Sequence, residues 1–133
     1  MRLYEYEGNE LFRQEGIPVP VYAVVTSGIE ARESAIEIWL PVVIKTQVLV
    51  GGRGLAGGVQ TAESLEQVEA IADRLLSTTI KGLPVRKVMV VRKMAVAREF
   101  YLGVTIDGYE GMPVVILSSA GGVSIEEIAR TCP

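Results

Sequence analysis

Val42 to Val59 reads VVIKTQVLVGGRGLAGGV, a hydrophobic run that ends in a lysine and leads into five glycines around one arginine. The run predicts a strand that delivers Lys45, and the glycines predict a mobile loop that closes over phosphates. Glycine lets backbone N–H groups approach an anion without interference from a Cβ. Arg53 and Lys45 add full positive charges that donate hydrogen bonds to phosphate oxygens. Two familiar patterns match formally and fail in context. Gly52-Arg53-Gly54-Leu55-Ala56-Gly57 fits a dinucleotide fingerprint, but that motif leaves a strand and opens a helix, whereas Gly58-Val59-Gln60-Thr61 reads as extended chain. Gly52 to Val59 fits a kinase glycine loop, but a kinase lysine follows its loop and here VVIK precedes it. The Gly-Lys-Ser/Thr ending of a P-loop is missing as well. The plainer alternative is a flexible glycine-rich hairpin with a solvated arginine; the lysine on a buried strand just ahead of it favours phosphate.

Composition narrows the remaining choices. A chain of 133 residues with 49% hydrophobic residues can form a core, and so few aromatics make that core aliphatic. The net charge of −3, with no basic block, lacks the electrostatic footprint of a nucleic-acid binder. No apolar run approaches the span of a bilayer, and MRLYEYEGNE lacks the basic-then-apolar order of a signal peptide, so no membrane partner is expected. The single cysteine, Cys132, forms no internal disulfide and suits a reducing cytoplasm. It has no histidine to act as its base. The absence of histidine also excludes a histidine metal site and a phosphohistidine on this chain.

The order of elements reads from the pattern of apolar residues. Leu3 to Glu15 predicts a turn and helix with Leu3, Tyr4, Leu11 and Phe12 on one side, stopped by Gly16 and Pro18. Pro20 to Val25 predicts a strand. Ser27 with Glu30 predicts a capping box that starts a helix carrying Ala35, Ile36 and Trp39 inward, ended by Pro41. Beyond the glycine loop, Val59 to Thr61 is extended. Leu65, Val68, Ile71, Ala72, Leu75 and Leu76 mark a long amphipathic helix capped by Thr61 or Ser64. Val88 to Val91 is too continuously apolar for a half-exposed strand and predicts a central one. From Arg98 the chain alternates, with Phe100, Leu102, Val104 and Ile106 on one face and Glu99, Tyr101, Thr105 and Asp107 on the other. Asp107-Gly108 turns it back into Val114 to Leu117 as an antiparallel partner. SSAGGVSIEEIARTCP predicts a glycine turn and a short helix. The expectation is an α/β fold with a mixed sheet, packed helices and a glycine-rich phosphate loop.

Four segments together resemble one family. LYEYEGNELFRQEGIPVP, VVIKTQVLVGGRGLAGGV, AREFYLGVTID and AGGVSIEEIARTCP are similar, in order and in spacing, to the β chain of succinyl-CoA synthetase and related nucleoside-diphosphate-forming acyl-CoA ligases, built on the ATP-grasp fold. The resemblance spans the chain. It implies that Lys45 holds nucleotide phosphates, that Gly52, Arg53 and Gly54 fold over them, and that Glu99 is the strand glutamate contacting the nucleotide. For Lys45 the alternative is an exposed strand end, and for Glu99 a solvent-facing strand carboxylate. Val91 and Met94 stand where the buried run leads into the family's adenine-binding linker, with Val91 in place of a glutamate. Leu55 replaces a lysine, Leu49 a histidine and Ala120 a glutamate.

The resemblance further implies ATP or GTP as ligand, an α subunit that carries the phosphohistidine, and a ligase of the tricarboxylic acid cycle. It divides the chain into a first ATP-grasp lobe at about 20–95 and the start of a second lobe at 1–19 plus 96–133. The family's metal-binding carboxylate and amide, the rest of the clamp and the CoA-ligase domain fall beyond Pro133, so Mg²⁺ is expected only with that downstream region. The rival expectation is a noncatalytic nucleotide-binding or assembly module on the same fold.

Overall fold

The computed structural model describes residues 2–119, so the expected turn and helix after Ala120, with Cys132, lie outside the described residues. The chain forms two compact units, one up to Met94 and one from Ala95. The first contains helix α1 (Glu5–Gln14), strand β1 (Tyr22–Val25), α2 (Gly28–Ile38), β2 (Val42–Thr46), β3 (Val59–Ala62), α3 (Leu65–Leu76), the short strands β4 (Thr79–Ile80) and β5 (Leu83–Pro84), and β6 (Val88–Arg92). The second contains β7 (Tyr101–Ile106) and β8 (Pro113–Ser118).

The sheet of the first unit has the order β1-β6-β2-β3. Where the sequence reading expects a mixed sheet, every pairing is antiparallel. The reason is the place of β6. It inserts between β1 and β2, which run parallel to one another but never become neighbours. Val88, Met89 and Val90 are fully buried, as a central strand requires.

Register separates the two faces of this sheet. Val25, Val88, Val90, Val42, Ile44 and Ala62 point to one side, where they meet Ala31, Ala35 and Ile38 of α2 and Val68, Ala72 and Leu75 of α3. This is the core. Ser64 caps α3 as expected, its side chain accepting from the Gln67 N–H. Ser27 caps α2 in the same way, but the Glu30 carboxylate accepts from the N–H and hydroxyl of Thr26 rather than closing a box on Ser27. These hydrogen bonds hold the Glu30 pKa below its usual value. Asp73 of α3 accepts from the Gly28 N–H at 2.7 Å, placing a negative charge at the start of α2. Any Cβ at Gly28 would sit 2.6 Å from that carboxylate.

Some inward assignments are corrected. Ala35 is buried, but Ile36 and Trp39 are exposed, because the inward stripe of α2 runs Gly28, Ala31, Ala35 and Ile38. Trp39 closes the helix at φ 74°, a left-handed turn that carries it off the helical path. In α1 no residue is fully buried, and Leu11 and Phe12 are about half exposed. The β4–β5 hairpin was not foreseen. It turns through Lys81 and Gly82, both at positive φ, a pair that lets two adjacent short strands close.

In the second unit β7 pairs antiparallel with β8 from Tyr101↔Ser118 to Ile106↔Pro113. The loop between them is organised by Asp107, whose carboxylate accepts from the N–H groups of Tyr109 and Glu110. The strand starts at Tyr101, so Arg98 to Phe100 precede it instead of belonging to it.

Val90 is the direct test of the core. Val90→Asp buries an unpaired carboxylate at a cost of several kcal/mol, about the whole stability of a small domain, and the variant should show no cooperative thermal transition. A melting curve like that of the parent would contradict the placement of β6.

Candidate functional site

Because side chains alternate along a strand, β2 buries Val42, Ile44 and Thr46 in the core and sends Lys45 to the opposite face, beside Met89 of β6 and Val59 of β3. Helix α1 contacts the same strands. Its residues Tyr6 and Asn9 approach Gln47 and Met89, and Tyr22 of β1 donates to the Tyr6 carbonyl at 3.2 Å. Helix α1, in the segment that the resemblance groups with 96–133, thus makes contacts with the sheet of the first unit.

Glu5, the first residue of α1, reaches Lys45. Lys45 Nζ lies 2.8 Å from Glu5 Oε1, and Arg53 forms an ion pair with the other oxygen, Glu5 Oε2. Arg53 also donates through Nη1 to the Thr46 carbonyl at 2.8 Å, which ties the glycine loop to the end of β2. All three side chains are largely withdrawn from solvent, with 28% of Lys45, 20% of Arg53 and 24% of Glu5 exposed. Burial pulls the pKa of Lys45 and of Arg53 below their ordinary values. Two cations share one carboxylate, so the cluster keeps a net positive charge in a partly dry place. Such a cluster attracts a further anion.

The loop itself is a tight turn. Ala56 N–H donates to the Gly52 carbonyl, Gly57 N–H to Gly54 and Gly58 N–H to Arg53 at 2.8 Å. Gly52 adopts φ 69°, and Lys81 Nζ sits 3.0 Å from where its Cβ would be, bringing a third cation beside the loop. Gly58 is required by space: a Cβ there would lie 2.5 Å from Thr46 Oγ1 and 3.0 Å from the Arg53 carbonyl. Thr46 Oγ1 is itself buried without a hydrogen-bond partner. An open cleft of about 530 Å³ runs along the loop, lined by Arg2, Glu5, Leu49, Gly51, Gly52 and Arg53 among others. This donor set suits phosphate oxygens: Arg53 and the glycine backbone line the cleft, and Lys45 joins them through the shared Glu5 carboxylate.

The candidates named from sequence divide accordingly. Lys45 and Arg53 are brought together, and Gly52 lies with Arg53 on the cleft. Gly54 sits within the turn, where a Cβ would meet only Val59 at 3.9 Å. Val91 is buried on β6, on the Lys45 face, opposite Val43 and Tyr22. Met94 is exposed at the end of the first unit. Glu99 belongs to the second unit and is exposed ahead of β7; the strand face assigned to it from alternation is therefore corrected. Glu5 was not foreseen. Its partners lie 40 and more residues away, and helical periodicity gives no sign of them. Among the described residues no three Asp, Glu, Cys or His side chains converge to hold a metal ion. No helix among them is long and apolar enough to cross a membrane.

Comparison with known proteins agrees with this architecture. The chain belongs to the ATP-grasp domain family, which matches residues 2–133. It is similar to the β subunit of ADP-forming succinate–CoA ligase from Roseiflexus sp. strain RS-1, with 46% identity, and from Haloarcula marismortui, with 44%, each over 133 residues. Those matches cover 100% of this chain and 35% of either relative, so the chain spans about a third of their length. Among solved structures it resembles a dinucleotide-forming acetyl-coenzyme A synthetase of Ca. Korarchaeum cryptofilum, in complex with coenzyme A, Ca-AMPCP and HgCl⁺. The TM-score is 0.80 at 25% identity, over 96% of this chain and 57% of that one. Phosphoribosylamine–glycine ligase of Thermotoga maritima shares the fold, with a TM-score of 0.63 at 20% identity over 86% of this chain and 27% of that one. The partial ATP-grasp fold expected from sequence is the fold observed.

The close approach at Gly58 can be tested. Gly58→Ala forces a methyl against Thr46 and the Arg53 carbonyl and should cost about 1–3 kcal/mol by overpacking, lowering the melting temperature. Gly51→Ala meets nothing within 4 Å and should leave it nearly unchanged. Equal melting of the two variants would contradict this account of the loop.

Proposed function

We propose that this chain supplies the nucleotide-binding part of an acyl-CoA synthetase β chain of the succinate–CoA ligase type. The observation that carries the reading is the convergence of Lys45 and Arg53 on one carboxylate, that of Glu5, with Glu5 and Arg53 lining the cleft along the glycine turn. On this reading the ammonium and guanidinium groups bind the nucleotide's phosphates, and the N–H groups of Gly52 and Gly54 fold over them. Their contribution is positioning and charge neutralisation, which dominate phosphoryl transfer. Because both cations are partly desolvated, their hydrogen bonds to phosphate act in a medium that screens them less than water does.

The proposed role has four further parts. Residues about 20–95 form the first lobe, and 1–19 with 96–133 begin the second. Glu99, with Val91 and Met94 more weakly, contacts the nucleotide. Either ATP or GTP is the ligand, with magnesium assigned to none of the described residues. The complete enzyme joins a carboxylic acid to CoA through acyl phosphate and phosphohistidine, the latter on an α subunit, in the cytoplasm as a step of the tricarboxylic acid cycle. Val91 favours one rival. A buried apolar side chain on the Lys45 face offers no acceptor to a base amino group, which suits a nucleotide-binding or assembly module without turnover.

Calorimetric titration of ATP and of GTP tests the reading. Two charge-assisted contacts at an open cleft predict a dissociation constant on the order of millimolar. Lys45→Ala and Arg53→Ala each remove a charge-assisted hydrogen bond worth about 1.5–3 kcal/mol and should weaken binding by roughly 10- to 150-fold, in variants that still melt cooperatively. Unchanged affinity in both variants would overturn the assignment.

A further inference from the structure

We propose that Glu5 is a displaceable internal counter-ion, occupying the place of a phosphate between Lys45 and Arg53 and setting the affinity of the site for nucleoside di- and triphosphates. This rests on the reading of Lys45 and Arg53 as phosphate ligands. Three observations carry it. The carboxylate bridges both cations at once, one oxygen to Lys45 at 2.8 Å and the other to Arg53. That is the bond pattern two oxygens of a phosphate would make. Glu5 also lines the cleft that runs along Gly51 and Gly52, with its Arg53-facing oxygen buried and about a quarter of the side chain open to an arriving anion. And the helix that carries it has no fully buried residue: beyond the Glu5 pairs it is held by hydrogen bonds from Tyr22 to the Tyr6 carbonyl at 3.2 Å, from the Tyr6 N–H to Gln47 at 3.4 Å, from Lys87 to the Tyr6 hydroxyl at 3.5 Å and from Asn9 to the Met89 sulfur at 3.9 Å, the last three long.

The physical consequence follows from counting charges. With no ligand bound, two half-buried cations close to one another would repel, and Glu5 holds them in a common orientation. A polyphosphate offers several oxygens and more than one negative charge, so it exchanges for the carboxylate with a gain. A single carboxylate-like anion exchanges with none. Each phosphate contact is therefore an exchange of one charge-assisted bond for another, and the net affinity is lower than the contacts alone would provide. Glu5 acts through Lys45 and Arg53 and is a positioning residue.

Glu5→Gln keeps the shape and removes the charge. ATP and inorganic tripolyphosphate, titrated calorimetrically into the whole chain, should bind this variant about tenfold more tightly than the parent, while adenosine binds both alike. A purely structural role would not tighten binding or separate ATP from adenosine. Glu5→Asp retains the charge at the helix start but withdraws it by one methylene, and it should also bind ATP more tightly than the parent. Equal or weaker ATP binding by both Glu5 variants, with Lys45→Ala still weakening the parent, would overturn the counter-ion and leave the phosphate site standing. If Lys45→Ala changes nothing even in the Glu5→Gln background, the phosphate site itself fails, and the proposal with it.

Discussion

The alternation of β2 decides both the core and the site. Val42, Ile44 and Thr46 are sealed beneath α2 and α3, and that burial fixes the register against β3 and β6. A slip of one residue would drive Lys45 into the aliphatic core and expose Ile44. The cost of burying an unpaired ammonium forbids it. Lys45 is thus held on the far face by hydrophobic packing that it takes no part in. Arg53 is placed by the same strand, since its guanidinium bonds to the Thr46 carbonyl at the strand's end.

Much of this was legible in the chain. The apolar spacing of Leu65 to Leu76 describes a real helix, and the unbroken run Val88 to Val91 is the central strand. VVIK followed by paired glycines marked the candidate site because its two signals, a buried strand and a glycine turn, are local. What failed was non-local. Whether neighbouring strands run parallel depends on where β6 inserts, which no window of sequence reports, and the expectation of a mixed sheet fell on that point. Ile36 and Trp39 satisfy a helical period but lie to one side of the stripe set by Ala31, Ala35 and Ile38. Glu5 is the plainest case. An acidic residue in the first turn of a helix has a sufficient local explanation in the helix dipole, so nothing marks it as the partner of Lys45 and Arg53.

The cleft along the glycine turn is open, and its cations are neutralised only in part. Since the chain spans 35% of its succinate–CoA ligase relatives, acyl-group chemistry belongs to the proposal, whereas the phosphate-like carboxylate between two cations is a feature of the described residues themselves.

A crystal structure of the chain grown with ATP tests the central claim most directly. The account predicts phosphate oxygens within hydrogen-bond distance of Lys45 Nζ and the Arg53 guanidinium, with the Glu5 carboxylate turned away from both. Phosphates bound elsewhere, with Lys45 and Arg53 still paired to Glu5, would contradict it.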